Sequence, residues 1–412
     1  MAVQANGRHV GDELPRTADV VVIGGGVNGA STAFQLTKRG MRNVVLLERR
    51  QLGAGATGKS GALVRAHYSN VPETRLTLES LKVFRNWGDA VGHGDPGFEA
   101  TGFVRVVAPR DEAKLRANVA AQQAIGGDTS VVTADDVREI EPLMRTDDLT
   151  VAGFEPTTGF ADPNATLYGF VTAAAAGGAR ILTQTEATAI LTEGGRVVGV
   201  ETARGRIATR TVVLAAGAYA DRLLVPLGVD LGLKPRRARV VVFRWPREMD
   251  QRRRHRVVID STQHSWFRPE GIAGTLIGVE RGERGAVDPE STPETVEQEY
   301  IAQAREALAA RFPVFAQATM RGAWSGVFMQ SPDDHPIIDH LPQVEGLYVM
   351  TGDSGTSFKT SPAIGICLAE WIIEGAAKLV DLMPFRSTRF AEGKPWVDEL
   401  AYADEIEQTI SR

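Results

Sequence analysis

Cysteine is almost missing from this sequence: Cys367 is the single one in 412 residues. One thiol excludes an intrachain disulfide and any CxxC metal pair, and it favours a reducing compartment. Long hydrophobic runs are missing too. The longest, at residues 20–23 and 212–216, fall far short of the roughly 20 apolar residues a membrane span needs. Residues 1–17 are polar and lack the apolar core of a signal peptide, so the chain reads as cytoplasmic. No charge of one sign dominates. A formal net charge of −5 gives no general case for binding nucleic acid or a membrane. Internal repeats and low-complexity tracts are absent as well. Two arginine clusters stand against this even background, Arg236-Arg237-Ala238-Arg239 and Arg252-Arg253-Arg254-His255-Arg256. They read first as solvated loops or strand edges, and otherwise as contacts to a partner subunit or an anionic ligand.

What is present suits a globular protein: 43% hydrophobic and 24% charged residues. The length exceeds what one core usually organises, which favours two domains. Residues 18–23 form a short β-branched run, the mark of a strand buried on both faces. A glycine-rich turn follows, then a predicted helix over 30–39 ending at Gly40, then a buried strand at 44–47. Strand, turn, helix, strand is a βαβ unit that opens a parallel sheet. Further along, 73–87, 110–125, 166–176, 294–311 and 363–374 read as helices. Residues 131–139 read as a loop and short helix, and 187–207 as a meander turned at Glu193-Gly194-Gly195-Arg196. Strand-like runs at 240–243, 257–260, 265–268 and 275–279 suit a mixed or antiparallel sheet in a second domain, and 347–351 returns to a buried strand.

Gly24-Gly25-Gly26-Val27-Asn28-Gly29 fits G-x-G-x-x-G, with Gly24, Gly26 and Gly29 in the glycine places. The first permits a tight turn, the second lets backbone approach a pyrophosphate, and the third allows close helix–strand packing. Alone the pattern is weak. Here it follows a buried strand, opens a helix, and is answered by Glu48 at the end of the next strand, where an acid accepts ribose hydroxyls. That acid also argues against NADP. The helix N-terminus presents free N–H groups to the phosphates.

Other segments favour FAD over NAD. Glu48-Arg49 leads into a run of small residues that includes Gly58-Lys59-Ser60-Gly61-Ala62, where backbone can approach a large flat ligand. Ala216-Gly217 ends another buried strand. Gly352-Asp353-Ser354-Gly355-Thr356-Ser357-Phe358-Lys359 precedes a C-terminal helix whose N-terminus suits negative charge on a reduced flavin.

At these residues, with Ser361-Pro362, Gly365 and the stretch Ser331-Pro332-Asp333-Asp334-His335-Pro336, the chain resembles the D-amino-acid oxidase/sarcosine oxidase family of FAD enzymes. The nearest branch is sarcosine and dimethylglycine oxidase. The resemblance implies a Rossmann-type α/β FAD domain interleaved with an α+β substrate domain on a mixed or antiparallel sheet. The FAD domain takes 17–90, 152–225 and 326–390; the substrate domain takes 91–151 and 226–325. It implies hydride transfer from the carbon beside a substrate nitrogen to flavin N5, giving an imine. It also implies a carboxylate clamp of Arg65 and Lys359 on a small amino acid or N-methyl amino acid. Tyr68 or His67 would line the pocket, with Trp266 and His264 on a strand near the flavin face.

The departures carry information. Gly326 stands where some relatives attach flavin through cysteine, and Thr57-Gly58-Lys59-Ser60 where others use histidine, which implies non-covalent FAD. The lysine with which sarcosine oxidase activates oxygen has no counterpart in Gly274-Thr275-Leu276-Ile277-Gly278, so O2 or another electron acceptor remains open. Two other readings stand beside C–N oxidation: oxidation of a hydroxy acid or polyol phosphate, and a flavin-bearing subunit of a multi-subunit amine dehydrogenase. A homo-oligomer is equally compatible.

Overall fold

The computed structural model describes residues 13–249, 254–280 and 285–402. Val20–Ile23 lies inside a six-stranded sheet, between Val44–Leu47 and Val212–Leu214, all parallel. Arg180–Leu182 extends the sheet beyond Val44–Leu47, and Leu347–Thr351 extends it beyond Val212–Leu214. Ile337–His340 closes the second edge, antiparallel to its neighbour. Side chains alternate along a strand, and here both faces are covered, which is why 20–23 is apolar throughout. Val20 and Val22 enter a core shared with the helices Val27–Lys38, Val71–Arg85, Pro163–Ala176 and Ser361–Glu374. Val21 and Ile23 pack against the predicted meander, a three-stranded sheet of Ala187–Glu193, Arg196–Thr202 and Gly205–Ala208.

The first helix starts at Val27, three residues before the expected start. Gly26, extended at ψ 177°, is its cap, so Gly29 falls inside the first turn. Val71–Arg85 is capped by Asn70, whose side chain accepts from Glu73 N at 2.9 Å. Residues 131–139, expected as loop and helix, form the strand Ser130–Thr133 and the helix Ala134–Ile140, joined by a Thr133–Asp136 capping box.

A second sheet has eight strands in the order Met320–Gln330, Lys234–Arg244, Gly274–Val279, Ser265–Glu270, Val257–Asp260, Phe103–Val106, Val151–Glu155, Ser130–Thr133. It is mixed: Val257–Asp260 pairs in parallel with Phe103–Val106, and the other described pairs are antiparallel. Helix Gln298–Arg311 covers one face, with Tyr300, Ile301 and Leu308 on Val241, Phe267 and Ile277. The opposite face carries Phe103, Val240 and Trp266 and packs with Leu63 and Phe160 of the first half. Residues 152–155 and 326–330, assigned from sequence to the FAD domain, lie in strands of this eight-stranded sheet.

The first arginine cluster is neither loop nor edge. Residues 236–239 sit within Lys234–Arg244, paired residue by residue with 325–328. Their charges are met inside the chain: Arg237 by Glu297 at 2.6 Å, Arg236 by Gln330 at 2.5 Å, and Arg239 by the Tyr300 ring at 4.4 Å. In the second cluster Arg252 and Arg253 lie outside the described residues, Arg254 pairs with Glu99 at 2.8 Å, and His255 is buried.

Candidate active site

The sheet's connections run off in opposite directions from Val20–Ile23 and Val212–Leu214, so the turns after these strands diverge and leave a crevice at their carboxyl ends. A cleft opens there, lined from both halves of the chain. Its floor has no room for side chains. Gly24 has φ +118°, and a Cβ on it would lie 2.2 Å from Ala215 O; a Cβ on Gly29 would lie 2.0 Å from Gly24 O. Backbone is therefore exposed to the cleft by Gly24, Gly26, Val27 and Asn28 on one side and by Ala216 and Gly217 on the other. Asn28 donates to Ser357 Oγ at 3.0 Å, while its Oδ1 is buried with no hydrogen-bond partner among the described residues. Such an orphaned acceptor beside bare backbone fits a polar ligand along this wall.

Glu48 borders the cleft and also holds its own loop. Its Oε2 accepts from Gly25 N at 2.8 Å and its Oε1 from Arg50 N at 2.7 Å. Arg49 lies over the Tyr219 ring at 4.2 Å. Arg49, Arg50 and Arg222 converge on Glu290 at 2.6, 3.1 and 3.0 Å, so a loop of the second half crosses the mouth here. Lys59 binds Glu294 of that loop at 2.5 Å, and Tyr219 donates to Pro289 O at 3.3 Å.

Lys59, Ser60 and Gly61 line the next part of the cleft, with Gly355, Ser357 and Phe358 opposite. Gly29, Gly58, Ala62, Gly352 and Thr356 sit behind the wall and act on the cleft only through the backbone they shape. Gly326 lines it, and a Cβ there would come within 3.0 Å of the Lys59 side chain. Among the described lining residues there is no cysteine or histidine. Cys367 is buried in the C-terminal helix, where burial pushes its thiol up to about 12. Asp353 also lines the cleft, its carboxyl raised by burial although Ser357 donates to it at 2.9 Å.

Trp266 forms the wall between the halves; Gly61 and Gly278 close on its indole. Arg65, Tyr68 and Lys359 do not line the cleft but meet one another at the Tyr68 ring. All three are buried; the Arg65 guanidinium carbon lies 4.6 Å and Lys359 Nζ 4.8 Å from the centre of the Tyr68 ring. Arg65 donates to His67 O, and Lys359 to Thr356 O at 3.0 Å. Glu155 stands beside them, accepting from Ala66 N at 3.0 Å and Thr158 Oγ1 at 2.8 Å; burial raises its carboxyl, opposed by those bonds and by Arg65. His67 is buried against Tyr402. Burial, with Arg105 and Arg65 nearby, pushes its imidazole well below the usual range. His264 turns the chain at φ 50° before Ser265–Glu270 and does not line the cleft.

Sequence reasoning missed several participants. Thr57 Oγ1 accepts from Val27 N at 3.1 Å and ties the first helix turn to the small-residue run. Arg268 donates to Gly61 O at 2.5 Å and Trp324 to Lys59 O at 3.2 Å. Arg268 shares a strand with Trp266 two positions away, so the period of two placed it on the same face. Nothing local signals Glu155, Glu290 or Tyr402.

A nucleotide crevice at a parallel-sheet switch point, roofed by a mixed sheet, defines a two-part dinucleotide-dependent oxidoreductase. Residues 19–371 match the family described as FAD dependent oxidoreductase (DAO), and the chain belongs to it. FAD is therefore its cofactor, and the cradle above fits it. Sarcosine oxidase subunit beta of Rhodobacter capsulatus is 25% identical over 94% of this chain and 92% of that protein. Glycine oxidase of Geobacillus kaustophilus is 27% identical over 90% and 97%. Among solved structures, L-proline dehydrogenase from P. horikoshii aligns with a TM-score of 0.85 at 26% identity, covering 93% of this chain and 100% of that one. No helix of the described residues is long and apolar enough to cross a membrane.

Proposed function

We propose that this protein oxidises the C–N bond of a small amino acid or N-methyl amino acid. The observation that carries the reading is the convergence of Arg65 and Lys359 on Tyr68. Arg65 and Lys359 leave this place positive even with Glu155 beside them if that buried carboxyl is protonated, and a carboxylate is the anion every amino acid offers. Relatives named for sarcosine, glycine and proline share that group.

In this reading the half built on the six-stranded sheet holds FAD and the half built on the eight-stranded sheet closes over the substrate. Gly24, Gly26 and the N-terminus of Val27–Lys38 would hold the pyrophosphate, Glu48 would accept ribose hydroxyls, and the N-terminus of Ser361–Glu374 would favour negative charge on the reduced flavin. The chemistry FAD supplies when bound is acceptance of a hydride at N5 from the carbon beside the substrate nitrogen, leaving an imine that water hydrolyses. Arg65 and Lys359 fix the carboxylate and so orient that carbon. Trp266 excludes water from the reacting face.

Anaerobic bleaching of the flavin across a panel of amino acids, N-methyl amino acids and hydroxy acids tests this directly. Bleaching by hydroxy acids alone would overturn it. Arg65→Ala should raise KM sharply with FAD still bound; an unchanged KM sinks the clamp.

A second reading rests on one name: the sarcosine oxidase relative is a subunit. In it, this chain passes electrons to a partner rather than to O2. The strand Gly274–Val279 carries no lysine, and the Trp266 ring packs at Gly278. Mass in solution and the rate of flavin reoxidation by O2 separate the two readings.

A further inference from the structure

The segment that carries Arg65 and Tyr68 is gripped from behind by the end of the described chain. Asp398 accepts from Ser69 Oγ at 2.6 Å and from Asn70 Nδ2 at 3.3 Å. Lys114 and Asn118, on the helix Glu112–Ala124, donate to Ala401 O and Leu400 O. Tyr402 then inserts, wholly buried, among Leu115, Val119 and Val151. Its ring lies parallel to that of His67, centroids 6.0 Å apart and planes 8° apart, and its hydroxyl meets His67 Nε2 at 2.7 Å. His67 in turn offers its backbone oxygen to the Arg65 guanidinium. A chain of contacts therefore runs from Tyr402 through His67 to Arg65, between residues 335 positions apart at its first link.

We propose that Tyr402 is a positioning residue for substrate binding: its hydroxyl and ring fix His67, whose carbonyl aims the Arg65 guanidinium at the substrate carboxylate. The proposal rests on Arg65 being the carboxylate clamp. Two properties support it. His67, held well below its usual range by burial and by Arg105 and Arg65, stays neutral, so its contact with the Tyr402 hydroxyl is a hydrogen bond between uncharged groups that needs no counter-ion. Lone packing of the tail would need no polar tip, yet Tyr402 brings one to a buried nitrogen.

The test is a two-background comparison on holoenzyme, with acetate as the carboxylate probe and the flavin difference spectrum as the readout. Tyr402→Phe keeps the ring and removes the hydroxyl. In the wild-type background it should weaken acetate binding and raise substrate KM by about three- to tenfold, the span of one net hydrogen bond. FAD content should stay unchanged, and melting temperature should fall by no more than a few degrees. In the Arg65→Ala background the same change should have no further effect, because a group that acts through Arg65 has nothing left to aim. Equal weakening in both backgrounds overturns the proposal. So does unchanged acetate binding in Tyr402→Phe while Arg65→Ala loses it, an outcome that leaves the clamp standing. If Arg65→Ala binds acetate normally, the clamp fails and the proposal falls with it. Should Tyr402→Phe yield no holoenzyme, Lys114→Met, which releases the tail at Ala401, takes its place in both backgrounds. Weakening that vanishes with Arg65 then supports the proposal, and equal weakening or none overturns it.

Discussion

Gly61 and Trp266 share a space that admits only one of them: a Cβ on Gly61 would lie 2.3 Å from Cη2 of the indole. The other edge of the indole fills the space that a Cβ on Gly278 would take, 2.5 Å from Cε2, so the ring packs directly on that strand's backbone. Gly61→Ala therefore displaces Trp266 into the cleft or strains the small-residue run, at a cost of about 1–3 kcal/mol. The expected result is reduced FAD content and a shifted flavin spectrum. Trp266→Phe in the same chain should restore both. If the double variant is no better than Gly61→Ala, the contact is not what fixes the cleft.

Glu48 holds two backbone N–H groups with one carboxylate and also lines the cleft, where the proposed function has it accept ribose hydroxyls. Glu48→Gln keeps the shape but turns one acceptor into a donor against an N–H. FAD affinity should fall by about tenfold or more, roughly 1.4 kcal/mol. Equilibrium titration of apoprotein with FAD, followed by flavin fluorescence, reads the change. Unaltered affinity removes Glu48 from the site.

The loop with Glu290 and Glu294 straps the cleft mouth through Arg49, Arg50, Arg222 and Lys59. Each pair is partly exposed and weak alone, and salt screens it. Glu290→Gln removes three partners at once. Release of FAD on dilution should quicken by about two- to fivefold and lose part of its salt dependence. A release rate that matches wild type at all ionic strengths assigns the strap no part in retention.

His255 sits in a closed circuit. Trp245 Nε1 donates to Thr275 Oγ1 at 3.0 Å, Thr275 meets His255 Nε2 at 2.8 Å, and His255 Nδ1 meets Arg256 O at 2.7 Å. Burial holds its imidazole down to about 4. Between pH 6.5 and 4 the unfolded chain takes up a proton that the folded chain refuses. Stability is therefore complete above pH 6.5 and falls by up to about 3 kcal/mol as pH drops toward 4. His67, lowered for the same reason, adds to the same slope. Melting temperature against pH should be flatter for His255→Asn than for wild type; parallel curves would refute the assignment.

The glycine loop, Glu48 and the buried strands were legible because local chemistry dictates them. Val44–Leu47, Val257–Asp260 and Leu347–Thr351 run between the bounds expected from their β-branched or apolar content. Met320–Gln330 was not legible. Gly322, Ser325 and Gly326 interrupt its alternation, and its extended form comes from register with Lys234–Arg244. The same pairing explains the misread arginines at 236, 237 and 239, whose partners Gln330, Ser325 and Glu297 arrive from distant segments. Arg65 and Lys359 were paired, with Tyr68 beside them, through the family resemblance alone; no local spacing relates residues so far apart, and the structure brings both to the Tyr68 ring. Tyr402 gave no signal at all, because a buried polar contact across the whole chain leaves no trace in local spacing.

Synthesis imposes an order on the six-stranded sheet. Val20–Ile23 emerges early and finds Val44–Leu47 at once, yet its other neighbour follows only at Val212–Leu214, and that strand waits for Leu347–Thr351. At ribosomal rates of about 5–20 residues per second, the interval between the first and last of these strands is roughly 15–65 s. Throughout it the nascent chain displays an unpaired, wholly apolar strand edge. Slower translation lengthens that exposure, so yield of native protein from cells depends on chaperone capacity more steeply than its finished stability would suggest.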